Sequence, residues 1–253
     1  MICTPGRSAE SKNIEQEIPM ELEPYVGEPD VARLIAQIRG EPVDRVPHLE
    51  ALVDDQHVEK ILGRYAGNTL AIGGDPAKGA EGATGRPMHG KDYVEFNQAI
   101  GQDILIVECF WTPFRRRKPD GTLVAITDRS VKTRADWEEV VLPGDEDIAD
   151  RLQYIREYKE AIEGTRQGIV LGGACIFQTL YEFTVGMTDF MMMCYEQRDF
   201  VEEMLEVSAE YFERLVAAAV AESIDLFLFG DDYAWKNGLF IPPKPIFRTL
   251  TAE

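Results

Sequence analysis

The amino-acid sequence predicts an α/β fold built on a parallel sheet. Short apolar runs recur at Asp103 to Trp111, Ile169 to Phe177 and Leu226 to Phe229. Long helical patterns separate them, which fits strand–helix–strand units with right-handed crossovers. Each run also ends in glycine, carboxylate or aromatic residues. That is the end of a parallel strand at which α/β barrels and open α/β sheets keep their chemistry.

The stretch Ile224 to Phe240 organises the rest. Leu226 to Phe229 is short and apolar enough to be a strand buried on both faces. Gly230, Asp231 and Asp232 follow directly, then Tyr233, Trp235 and Lys236. Two readings of the acids stay open. They serve a site, with Trp235 and Lys236 contacting substrate, or they cap the next helix, as Asp often does.

Taken in order, Met1 to Glu28 is polar, contains Pro5, Pro19 and Pro24, and reads as a flexible arm. Asp30 caps a helix from Val31 to Arg39, whose Val31, Leu34, Ile35 and Ile38 recur at helical spacing, and Gly40 ends it. His48 to Val53 reads as a first strand. Side chains alternate along a strand, so His48 and Glu50 share one face, either as a polar pair facing a site or with His48 as an ordinary satisfied histidine. His57 to Tyr65 is helical. Gly67 to Gly90 is glycine-dense but lacks a GxGxxG order between strand and helix, which excludes a nicotinamide turn. A helix from Asp92 to Ile100 precedes the second strand, which delivers Glu108.

Arg115 to Lys118 is a basic cluster, read either as part of a solvated turn at Asp120 and Gly121 or as a clamp for an anion. Leu123 to Thr133 alternates like a hairpin arm. Asp145 to Glu163 is an acid-rich amphipathic helix. The third strand contains Gly172 and Gly173, a sign of close backbone approach. Two helices follow it, Thr179 to Gly186 and Thr188 to Tyr195, and Met191 to Met193 fill core in the second. The longest helix runs from Asp199 to Ser223 and leads back to Leu226.

Composition narrows the function. The chain has 253 residues and a formal net charge of −19, which repels phosphate backbones and argues against nucleic acid as a partner. Three histidines are few for a metal centre built on imidazole. The four cysteines show no Cys-x-x-Cys spacing and suit buried thiols in a reducing compartment. No run is long enough for a membrane span, and the N-terminus lacks a signal-peptide pattern. The prediction is a cytoplasmic protein.

These residues resemble the uroporphyrinogen decarboxylase superfamily. The resemblance rests on Arg33 to Pro47, Gly101-Gln102-Asp103, Gly172-Gly173-Ala174, and Gly230-Asp231-Asp232 followed by Lys236, Gly238, Leu239 and Phe240. It implies a (β/α)8 barrel of TIM type spanning Pro29 to Glu253. Four strands fill only the first half to two thirds of such a barrel, so the expectation is a barrel domain truncated at its C-terminus. Within the superfamily, decarboxylases carry an arginine-rich Met-Arg-Gln-Ala-Gly-Arg stretch where this chain reads His48 to Asp55. The Asp231 to Leu239 pattern looks more like the corrinoid-dependent methyltransferases.

With the resemblance, Asp231, Asp232 and Glu108 are expected to be catalytic and Tyr181 and Lys236 to bind substrate, and the positions of Trp235, His48 and Glu50 add them as candidate substrate contacts. It also implies zinc, whose His-x-Cys…Cys ligands this chain lacks, and a corrinoid carried by a partner protein. Two alternatives stand beside methyl transfer: decarboxylation of a tetrapyrrole, and a non-catalytic half-barrel. The half-barrel needs a second copy or another chain to cover its open sheet edges.

Overall fold

The computed structural model describes residues 27–67 and 88–241. The expected arm, apart from Gly27 and Glu28, lies outside the described residues, as do most of the glycine-dense stretch and the tail after Ile241. The elements begin with α1 (Val31–Ile38), α2 (Asp55–Leu62), α3 (Gly90–Ile100) and β1 (Ile104–Trp111). A small antiparallel sheet follows, made of β2 (Arg115–Arg117), β3 (Leu123–Ala125) and β4 (Val140–Val141), with α4 (Arg134–Glu138) before its last strand. Then come α5 (Asp145–Ile162), β5 (Gly168–Cys175), α6 (Ile176–Thr179), a π-helix (Leu180–Thr184), α7 (Met187–Glu196) and α8 (Arg198–Ala221). The described chain ends with β6 (Leu226–Phe229) and the hairpin of β7 (Ala234–Trp235) and β8 (Gly238–Leu239).

The central sheet is parallel, with strand order β1-β5-β6. Glu108 sits opposite Gly172 and Cys109 opposite Gly173, while Gly173 also faces Phe229. Two clusters sandwich the sheet. On the helical side Leu105, Val107, Ile169 and Leu171 pack with Ile155 of α5 and Met204 and Leu215 of α8. On the other side Ile104, Ile106 and Val170 meet Val31, Leu34, Leu49 and Ala51. The two-residue alternation of β1 divides its side chains between these faces. Each fully buried aliphatic side chain contributes about 1.5–3 kcal/mol relative to exposure.

Helix α1 closes the end of the sheet where the strands begin. Asp30 caps it as expected, accepting from the Ala32 amide at 3.0 Å. The Val31 amide donates to the Arg166 carbonyl at 2.9 Å. A Cβ on Gly168 would stand 2.4 Å from a Val31 methyl, so α1 docks only because this position has no side chain. Asp103, fully buried, ties the region together. Its carboxylate takes Arg33 at 2.6 Å, Arg45 at 2.8 Å and the main-chain amides of Asp30 and His48 at 2.8 and 3.0 Å.

Two expectations need correction. His48 to Val53 is not a strand. The His48 amide donates to the Asp103 carboxylate and the Glu50 amide to the Gln102 side chain at 3.1 Å. Side chains thus take the place of the ladder carbonyls that a strand at this edge would use. Strand β6 is not buried on both faces either. Phe227 and Leu228 are each 36% exposed and Phe229 52%, and among the described residues β6 pairs with β5 alone.

Other elements follow the sequence closely. Met193 is buried while Met192 is exposed, so the methionine cluster is core on one side only. The basic cluster forms β2 and a turn in which the Gly121 amide donates to the Lys118 carbonyl at 2.9 Å. Arg115 and Arg116 are already paired with Asp147 and Asp128, which favours the turn over an anion clamp. None of the described helices is long and apolar enough to cross a membrane.

Candidate functional site

The C-terminal ends of β1, β5 and β6 converge, and most of the singled-out polar residues lie there. Strand β5 makes the convergence possible through small residues. A Cβ on Gly173 would fall 2.8 Å from both the carbonyl oxygen and the sulfur of Cys109. The Phe110 ring lies beside Gly172, where a Cβ would stand 3.3 Å from it, and within ordinary contact of Gly230. Ala174 then adopts φ of 68°, a left-handed conformation that costs an alanine roughly 1–2 kcal/mol. Such strain persists only where surrounding contacts over-determine it, and it concentrates at functional sites.

Asp231 bridges two strand ends. One oxygen accepts the Phe177 amide at 2.7 Å, and the other accepts the amides of Gln178 at 2.8 Å and Asp232 at 3.0 Å. The carboxylate therefore satisfies the opening amides of α6, the helix that leaves β5. It does cap a helix, but the neighbouring strand's helix and not the next one along. Burial raises the pKa of Asp231, opposed by these amides and by the Tyr233 hydroxyl. Asp232 is exposed, and its side chain accepts weakly from the Ala234 amide at 3.3 Å.

Glu108 is 3% exposed and accepts from the Phe110 amide at 3.0 Å. Cys175 lies between the acids. Its thiol donates to the Gly230 carbonyl at 2.9 Å, and its pKa is pushed up to about 12 by burial and then by Asp231, Glu108, Glu182 and Asp232. Tyr181 belongs to the π-helix, an irregularity frequent at functional sites, and burial followed by the Asp232 charge raises its phenol pKa.

The hairpin after β6 folds back over this region. Tyr233 and Phe240 turn inward, their ring centroids 5.4 Å from Phe177 and 5.5 Å from Tyr181, and the Phe240 amide donates to the Tyr233 carbonyl at 2.9 Å. Trp235 and Lys236 sit at the exposed tip, with Trp235 60% exposed. His48 and Glu50 are elsewhere. They lie near Asp103, where β1 begins, with the His48 ring 3.5 Å from the Glu50 carboxylate. The structure thus brings together Glu108, Asp231, Asp232 and Tyr181, and leaves His48 and Glu50 at the opposite end of the strand.

Sequence reasoning missed Tyr233, Phe177 and Cys175 as members of this cluster. Tyr233 stood two residues from Asp231, while Phe177 and Cys175 read only as the end of an apolar strand. No group of three His, Cys, Asp or Glu side chains among the described residues could hold a metal ion. The zinc implied by the resemblance finds no ligand set there.

Beside the cluster lies a cleft of about 350 Å3 between β1, the antiparallel sheet and α5. Its wall includes Glu108, Trp111, Thr112, Arg115 and Asp150.

An α/β sheet with carboxylates gathered at its strand ends defines the class of protein. Against protein-family models and curated protein sequences, the chain has no match. Among solved structures its fold is similar to a methyltransferase from Methanosarcina mazei, with a TM-score of 0.54 and 18% identity. The match covers 85% of this chain and 62% of that one, so the chain spans less than two thirds of its neighbour. At this identity the likeness establishes a methyltransferase-like fold.

Proposed function

We propose that this chain transfers methyl groups, as a corrinoid-linked member of the uroporphyrinogen decarboxylase superfamily built on a (β/α) barrel. The observation that carries the reading is the joining of Glu108, Asp231, Asp232 and Tyr181 at one end of a parallel sheet whose fold resembles a methyltransferase. A methyl group leaves its donor more readily when the departing heteroatom receives a proton. A carboxyl positioned at the reacting heteroatom handles that proton.

Glu108 and Asp232 are assigned the proton-handling role. Asp231, whose oxygens are occupied by main-chain amides, holds α6 and Cys175 in register with β6 and acts as a positioning residue. Tyr181, and Trp235 with Lys236 on the hairpin, orient the donor. The methyl acceptor is a thiol or the corrinoid of a partner protein. Another chain, or a second copy, covers the edge of β6 that no described strand pairs with, as its exposed Phe227, Leu228 and Phe229 favour.

The test runs the transfer toward a thiol, with the full chain incubated with methylcobalamin and an excess of thiol. The carboxylate takes the thiol proton as the S–CH3 bond forms and the Co–CH3 bond breaks to leave cob(I)alamin, and the corrinoid absorbance is followed. The reading predicts demethylation that Glu108→Gln and Asp232→Asn each slow at least about ten-fold, the low end for losing an acid–base group. Unchanged absorbance, together with carbon dioxide release from uroporphyrinogen, would replace it with the decarboxylase reading.

A further inference from the structure

The turn that carries Tyr181 is held by a distant part of the chain. Tyr181 sits in the π-helix, whose wide turn shows in the Val185 amide donating to the Leu180 carbonyl, five residues back, at 2.8 Å. The Tyr181 ring packs 5.6 Å from Phe177 and 5.5 Å from Phe240. The end of a helix leaves its last carbonyls without helical donors. Here a strap between β3 and α4, Arg129 to Lys132, supplies them.

The four consecutive carbonyls of Glu182, Phe183, Thr184 and Val185 each accept from the strap. The Arg129 Nε donates to the first at 2.8 Å and the Arg129 amide to the second at 2.9 Å. The Val131 amide donates to the third at 3.1 Å, and the Lys132 ammonium to the fourth. Val131 is buried in the main core, which fixes the middle of the strap. Arg129 reaches its two carbonyls from a backbone at φ of 57°, a left-handed conformation that a side chain enters at a cost. Its stem lies on Gly186, where a Cβ would stand 3.2 Å from the Arg129 Cδ. The strain at Arg129 is thus kept where it lets one residue grip two carbonyls.

A π turn holds one residue more than an α turn. Without the strap, these carbonyls would regain partners by tightening into α geometry. That change turns the preceding residues by about 100°, one residue's share of a 3.6-residue turn, and takes Tyr181 out of its contacts with Phe177 and Phe240. We propose that Arg129 is a positioning residue for the strand-end site, fixing the π-helix and through it the place of the Tyr181 phenol. The role in methyl transfer rests on the reading of Tyr181 as the group that orients the donor.

The experiment labels the full chain with 3-fluorotyrosine and follows the fluorine resonance of Tyr181, identified by its loss in Tyr181→Phe. Arg129→Gly removes the Nε donor but suits a φ of 57°, so its effects on stability oppose each other and the unfolding midpoint moves little. The Tyr181 resonance nevertheless shifts or broadens, while those of Tyr93 and Tyr158 stay in place. Lys132→Met, which removes the fourth donor and an exposed ion pair with Asp189, shifts it less. In the methylcobalamin assay Arg129→Gly lowers kcat at least about ten-fold, as expected for a misplaced orienting group, with KM for the thiol nearly unchanged. With Tyr181 already Phe, it costs less than about two-fold more, because both act through one group. An unmoved Tyr181 resonance in both variants, equal shifts at Tyr93 and Tyr158, or losses that multiply in the double variant overturn the proposal. Should Arg129→Gly not fold, Lys132→Met decides by the same readings. A Tyr181 resonance moved by Arg129→Gly in a chain without methyl transfer would sink the functional reading alone, leaving the strap's hold on Tyr181 in place.

Discussion

Asp231 reaches across from the end of β6 to accept the Phe177 amide at 2.7 Å, so one strand's carboxylate caps the helix of its neighbour. The contact spans 54 positions of sequence. It couples the site's architecture to a single side chain, whose removal is felt in stability as well as in any activity.

Replacing Asp231 with Asn sets an amide NH2 against main-chain donors and costs about 1–3 kcal/mol in urea unfolding near pH 4. The pH trend has a definite sign. Burial raises the folded pKa above 3.8, so the folded chain keeps this proton where the unfolded chain releases it. The stability from this group is complete below the unfolded value and declines as pH climbs through the folded one. The advantage of wild type over Asp231→Asn therefore shrinks from pH 4 to pH 7. An advantage that grows with pH would mean the amides outweigh burial.

Asp103 is fully buried and holds two arginines and two main-chain amides. Asp103→Asn leaves Arg33 and Arg45 facing a neutral partner and costs about 3–5 kcal/mol, the range for breaking a buried pair. Chemical denaturation reads this directly. A loss below about 1 kcal/mol would place the anchoring elsewhere.

Gly173 has no room for a methyl group, because the nearest obstacle is the Cys109 carbonyl, which is backbone. Gly173→Ala should destabilise by about 1–3 kcal/mol through overpacking. Gly121, with open space around it, is the control for general glycine effects, although its φ of 88° strains any side chain.

Cys175 and Cys194 have pKa values pushed up to about 12, with burial the largest cause. Only the thiolate attacks alkylating reagents, so both stay unmodified by iodoacetamide at pH 8 in the native state and react once urea unfolds the chain. Peptide mass mapping before and after unfolding tests this. Rapid native labelling of Cys175 would indicate that the hairpin over the strand ends opens.

Much of the fold was legible because its signals are local. The Asp30 cap, the glycine stop after α1, the apolar runs of β1 and β5, and the long α5 and α8 all follow from propensity and periodicity. The His48 to Val53 segment failed because the partners of its His48 and Glu50 amides are side chains, with one main-chain bond, from the Asp103 amide to the His48 carbonyl, beside them. Nothing in that stretch discloses that Asp103 and Gln102 will take the amides a strand would share. An apolar run likewise cannot reveal whether its sheet continues, so β6 read as buried although among the described residues one edge has no partner.

The candidate site was legible in its carboxylates and not in its surroundings. Gly230-Asp231-Asp232 announces itself as a polar break after an apolar strand. The inward turn of Tyr233 and the outward turn of Trp235 and Lys236 depend on the hairpin register, in which Ala234 pairs with Leu239. His48 and Glu50 do share a neighbourhood, but at the wrong pole of β1.

The docking of α1 has a consequence for how the molecule is made. Its anchors are Asp103, the Arg166 carbonyl and the bare backbone of Gly168, all far downstream. A ribosome delivering roughly 5–20 residues per second emits α1 several seconds before Gly168 appears. Helix α1, which precedes every other described element, is therefore among the last of them to find its seat, and until then its apolar stripe is open to chaperones.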